Sequence, residues 1–165
     1  MSVARIKETI LIACFLVLTI PVHEFGHYIV AKVDGAQIYE FNSFIRYNGT
    51  HFIGPSIVVN EFTFSSFETL LLCNLAGFLI TFIPGLIISI VLYARGSRFW
   101  YYSSTWVVSA PLVSLSDFDR ILELLWLSDA SKWVHVGLGA YMIFMFRFVR
   151  RKKEELINNR RLDLL

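Results

Sequence analysis

Residues 9–31 read TILIACFLVLTIPVHEFGHYIVA. A bilayer core needs about 20 apolar residues, and this run supplies them, interrupted only by His23, Glu24 and His27. An acid at mid-membrane costs about 2.5–3.5 kcal/mol, so three ionisable groups packed this closely need a local reason. Positions i and i+4 of a helix share a face, so both imidazoles can reach one ion. Glu24 lies one residue along, where its carboxylate can take a proton from water on that ion. The bland alternative is a helix end at the interface, where histidines are tolerated. By composition such an HExxH arises by chance in roughly half a percent of chains like this one. Pro21, just upstream, is either an ordinary membrane-helix kink or a break that frees a carbonyl near the histidines.

The rest of the composition agrees with a membrane solvent. Of 165 residues, 56% are hydrophobic, 16% aromatic and only 17% charged, and mean hydropathy is +0.59. Typical soluble domains carry about 25% charge, and a chain this short cannot bury so much apolar surface in water. A disordered chain, a disulfide scaffold and an ordinary cytosolic enzyme are excluded. Cys14 and Cys73 sit in apolar runs without CxxC spacing and read as small hydrophobes.

Further spans are expected at Leu70–Tyr93 and at Phe99–Ser116, the latter continuing as one helix to Trp126. Trp133–Phe146 is shorter and is taken as a fourth span, anchored by Trp133 and Arg147. The fold class is therefore an α-helical integral membrane protein, one domain over residues 1–165. Four spans place both termini on one side. Seven of the fifteen Lys and Arg residues lie between Arg147 and Arg161, and with Arg5, Lys7, Arg95 and Arg98 they mark that side as cytoplasmic. The basic tail, 150–165, suits anionic lipid rather than nucleic acid.

Residues 36–64 change character. Phe44–Tyr47 and Thr50–Ile53 flank Asn48-Gly49, which predicts a hairpin with a two-residue type I′ turn. Strands are expected to flank it at Gln37–Phe41 and Ile57–Phe64. Asn48-Gly49-Thr50 also matches a glycosylation acceptor, but the turn accounts for it better.

Two histidines do not complete a zinc site, which ordinarily takes three protein ligands. The candidates for a third are His51, His135, Asp117 and Asp119. Counting from the helix starts, His23 and Asp117 lie about 21 and 27 Å along parallel spans, a compatible depth. Asp117 and Asp119 cannot both face one ion from a regular helix, and Arg120 is placed to pair with one of them.

At these residues the chain resembles the site-2 protease family of intramembrane zinc metalloproteases. The family's first core helix reads HExGHxxxAxxxG, and His23, Glu24, Gly26, His27, Ala31 and Gly35 match every defined position. Its third core helix carries LDGGRIL. Ser116 to Leu122 keeps the Asp117, Arg120, Ile121 and Leu122 positions but has Ser116, Phe118 and Asp119 where the family has Leu and two glycines. Its second carries AGPxxN; here Ala76 and Gly77 are kept, with Phe78 for Pro and Thr81 for Asn, and Asn74 is a possible substitute amide. Gly77 and Gly85 otherwise read as close helix packing.

The resemblance covers roughly residues 9–127. It implies a three-helix protease core, with the fourth span at 130–149 outside it. It implies one Zn2+ per chain on His23, His27 and Asp117, with Asp119 the alternative ligand, and Glu24 as catalytic base. The implied substrate is a transmembrane or membrane-proximal protein segment; independently of the resemblance, an edge at Phe44, Ile45, Arg46 and Tyr47 is the expected holder, by strand addition. A catalytically silent relative, binding or chaperoning membrane segments, is the competing expectation. A diiron enzyme acting on lipid would need more than the four histidines present.

Overall fold

In the computed structural model the described residues are 3–42, 46–47, 49–50, 52–53, 56–97 and 99–162. They form five α-helices and two small ladders. Helix α1, Val3–Asp34, runs unbroken through Pro21. It ends where Gly35 adopts φ +82°, and Ala36 N–H returns to the Ala31 carbonyl at 2.9 Å. No neighbour crowds Gly35, so backbone conformation alone calls for glycine there.

The chain then enters β1, Ile38–Asn42, and comes back in β4, Ser56–Val59, antiparallel to it with a bulge between Ile38 and Glu40. Between them β2, Arg46–Tyr47, pairs with β3, Phe52–Ile53. Tyr47 stands opposite Phe52, so residues 48–51 form a four-residue connection. The expected two-residue turn would have put Tyr47 opposite Thr50. Gly49 does take φ +95°, but one tight turn does not fit this register. Phe44, Ile45, Asn48 and His51 lie outside the described residues. The expected strand Ile57–Phe64 also ends early. Asn60 accepts from Phe62 N–H at 3.2 Å and opens a 3-10 turn over Glu61–Thr63.

Helix α2, Phe67–Ala94, is capped by Ser66, which accepts from Thr69 N–H at 3.1 Å. Its buried positions are Cys73, Ala76, Gly77, Thr81, Gly85 and Ser89, a stripe of small residues recurring every three or four. An added Cβ on Gly26 of α1 would stand 2.5 Å from the Ala76 carbonyl oxygen, so the two backbones meet there. Thr19 and Ser109 hydroxyls lie 3.3 Å apart, and Ser89 donates to Ser103 at 3.0 Å. Large side chains point the other way: Val17, Ile87 and Ile90 are each 57% exposed. Small and polar residues at the helix contacts with large apolar residues outside is the packing common between membrane helices. Two helices, Thr9–Asp34 within α1 and the whole of α2, are long and apolar enough to cross a membrane.

The third apolar run is not one helix. It divides into α3, Phe99–Val113, and α4, Leu115–Leu124, at Ser114. Pro111 removes a backbone donor just before the break, and the sequence turns polar immediately after it. Helix α3 alone is about 22 Å long, against ~30 Å for a hydrocarbon core. The last helix, α5, Ser131–Leu162, is far longer than the expected Trp133–Phe146 and takes in most of the basic tail. Arg150–Glu154 and Arg151–Glu155 pair at i,i+4, and Lys152 lies 2.6 Å from Glu155. Such pairs favour continued helix, and the Lys152 ammonium holds the Glu155 carboxyl below its usual range.

Helix α4 ends in a Schellman turn, Leu127 N–H to the Leu122 carbonyl at 2.7 Å. Its left-handed position belongs to Trp126, at φ +59° and 94% exposed. A bulky residue there costs about 1–2 kcal/mol, partly offset in a glycine variant by extra chain freedom. Trp126→Gly is expected to stabilise the detergent-solubilised protein by about 0.5–1 kcal/mol. A thermal melt that falls instead would show that the indole makes a compensating contact.

Candidate metal centre

His23 and His27 stand one turn apart on the buried face of α1, their rings edge-to-face with centroids 4.7 Å apart. Each Nδ1 has its own acceptor. Nδ1–H of His27 donates to the Cys73 carbonyl on α2 at 2.6 Å. Nδ1–H of His23 faces the Ser114 hydroxyl at 3.3 Å, and that hydroxyl donates its own proton to the Ala110 carbonyl at 2.9 Å. Ser114 is wholly buried at the break between α3 and α4, so the interruption is what presents its oxygen to His23. With both Nδ1 atoms protonated, each neutral ring keeps a bare Nε2 lone pair.

The two Nε2 atoms lie 3.0 Å apart. Oδ2 of Asp117, from the first turn of α4, lies 2.8 Å from His23 Nε2 and 3.3 Å from His27 Nε2. That oxygen is buried, and apart from the two imidazole nitrogens it has no hydrogen-bond partner among the described residues. Three electron-rich atoms facing one another repel unless a cation or a shared proton lies between them. Tetrahedral zinc with bonds of about 2.0–2.1 Å sets its ligand atoms about 3.3–3.4 Å apart. The observed triangle is of that size, slightly contracted. His23, His27 and Asp117 therefore form a group that could hold a metal ion.

Space for this group is made by Gly77. A Cβ there would stand 2.5 Å from His23 Cε1 and 2.5 Å from His27 Nε2. Any larger residue would displace both ligands. Glu24 is half-buried beside the histidines, with the Ile57 amide of β4 near its carboxylate. The β4 strand thus passes close to the candidate base.

Other expected residues are placed elsewhere. Asp119 accepts from Ser131 at 2.5 Å and lies 3.1 Å from His135 Nε2, both on α5. Neither Asp119 nor His135 joins the triad, because two positions along a helix turn a side chain by about 200°. Arg120 pairs with neither aspartate but with Glu61 and Glu123. Asn74 donates to the Leu70 carbonyl of its own helix at 2.9 Å, and Thr81 likewise donates to the Gly77 carbonyl at 2.8 Å. Arg46 and Tyr47 are on β2, in the ladder separate from β4; Phe44, Ile45 and His51 are outside the described residues. Sequence reasoning passed over Ser114 and the Cys73 carbonyl. A backbone acceptor carries no signature in the residue type, and a serine in an apolar helix has many uses.

Compared with protein-family models, curated proteins and solved structures, the chain matches none. The likeness to site-2 proteases rests on the residues quoted above. Gly77→Ala is expected to lower zinc affinity at least 10-fold, the scale of a disturbed ligand shell, while the helices remain folded. Chelator competition and circular dichroism on the same sample check both halves.

Proposed function

We propose that this protein is an intramembrane zinc metalloprotease of the site-2 type, hydrolysing peptide bonds of membrane-protein segments in or near the bilayer. The observation that carries the reading is the triad: two imidazoles with bare Nε2 atoms and a carboxylate oxygen with no other partner among the described residues, converging beside Glu24. The pattern HExGHxxxAxxxG around it supports the same reading. On this proposal α1, α2 and the α3–α4 pair are the protease core. The apolar half of α5 is a fourth span, and the termini are cytoplasmic.

His23, His27 and Asp117 would hold the ion. Zinc bound there supplies Lewis acidity and a water that ionises near neutral pH. The chain's own residues do the rest. Glu24 accepts the proton of the attacking water and delivers it to the leaving amine as the C–N bond breaks. Helical substrates bury their peptide bonds in hydrogen bonds, so the segment must be extended first. The strand edge at Phe44–Tyr47 is the proposed holder, by strand addition. The wall of small residues and the apolar surround keep bulk water from the reacting groups.

Purified protein should carry about one zinc per chain, lost in His23→Ala and His27→Ala. Glu24→Gln should keep the metal and lose cleavage of co-expressed single-span proteins by a factor of about 10²–10⁴. Wild-type protein without zinc at equimolar supply would overturn the proposal; zinc with no substrate ever cut would favour the silent binding protein. Proline placed at Ile45 should impair cleavage with zinc content unchanged, and undiminished cleavage would remove the strand-edge step.

A further inference from the structure

The triad's third ligand rides on a helix with little packing of its own. Among the described residues of α4 none is buried outright, and Ser114 separates it from α3. Its one aromatic contact among the described residues is Phe118 edge-on to Phe78, centroids 5.3 Å apart. Polar contacts add to this packing on both sides. On one side Asp119 meets Ser131 and His135 of α5. On the other, Arg120 places two guanidinium nitrogens on Glu61: Nε donates to Oε1 at 3.0 Å and Nη2 to Oε2. Its third nitrogen, Nη1, reaches Glu123 at 2.5 Å.

Glu61 opens the turn that follows β4, four residues after Ile57. The same short segment therefore passes near Glu24 at one end and pairs with α4 through the Glu61 carboxylate at the other. Arg120 is three residues beyond Asp117, on the same helix face. The Arg120 and Glu61 side chains are 36% and 35% exposed. An ion pair so accessible contributes little to global stability, but a two-point fork fixes orientation in a way that a point charge does not.

We propose that the Arg120–Glu61 pair is a positioning clamp that sets Asp117 against the two histidines and registers α4 to the strand lining Glu24. The inference rests on the metal reading above. Neither residue touches the ion or the reacting atoms; both act through the helix that carries Asp117. Glu123, one turn along the same helix, cannot register α4 against anything else and serves as the control.

The test is zinc competition with a chromophoric chelator on the full-length protein in detergent, alongside thermal melts. Arg120→Gln and Glu61→Gln should each weaken zinc binding about 10-fold, and the double variant should be no weaker than either single one. The reciprocal exchange, Glu61→Arg with Arg120→Glu, should recover most of the loss, as a merely destabilised fold would not. Arg120→Lys, which keeps the charge without the fork, should fall between and covers the case in which Arg120→Gln does not fold. Glu123→Gln should bind as wild type does. Unchanged affinity in Arg120→Gln, or an equal loss in Glu123→Gln, overturns the clamp and leaves the metal reading standing. Wild-type protein that takes up no zinc overturns both.

Discussion

The backbones of α1 and α2 meet at Gly26 and Ala76, and beside that contact the His23 and His27 rings leave no room for a side chain at residue 77. The site depends on that contact. It brings the Cys73 carbonyl within 2.6 Å of His27, and so decides which nitrogen of that ring is bare. It leaves room for two imidazoles side by side where a methyl group would stand. It also depends on residues that do little else: glycine, alanine, cysteine, threonine and serine along one face of α2. In a soluble core that face would be too small to drive folding. Between apolar helices in lipid, close approach and hydrogen bonding are the available sources of cohesion.

The second constraint is electrostatic. His23, His27 and Asp117 present three bare ligand atoms to one another among mostly small and apolar neighbours. Each imidazole is held in one tautomer by a partner on a different helix, α2 for His27 and the α3–α4 junction for His23. This is how a metal site is commonly oriented, through the acceptors behind its ligands. The proposed protease chemistry adds Glu24 and an extended substrate to that arrangement. It asks nothing further of the helices.

Several elements were legible in the chain and several were not, for reasons that differ. The first two long helices follow from long apolar runs, and the end of α1 from Gly35. The His23–His27 face follows from helical periodicity alone. The α3–α4 break was hidden because the apolar pattern passes smoothly into an amphipathic one across Ser114, and Pro111 by itself fits a helix. The hairpin register was hidden because Asn48-Gly49 suits a tight turn equally well in several registers. The extent of α5 was missed because composition distinguishes lipid-facing from water-facing residues, and says less about whether the helix continues between them.

What the sequence determined by itself was two long apolar helices, and on the first of them two imidazoles one helical turn apart with a carboxylate beside one of them. Those are local properties, set by residue type and a spacing of four. Which carboxylate completes the group was a matter for tertiary structure. Asp117 and Asp119 are two positions apart in nearly the same context, and only the docking of α4 sends one to the histidines and the other to Ser131 and His135. The roles of Gly77, Ser114 and the Cys73 carbonyl were decided there too, because each acts on a residue far away in the chain. No local pattern can encode a distance between two helices.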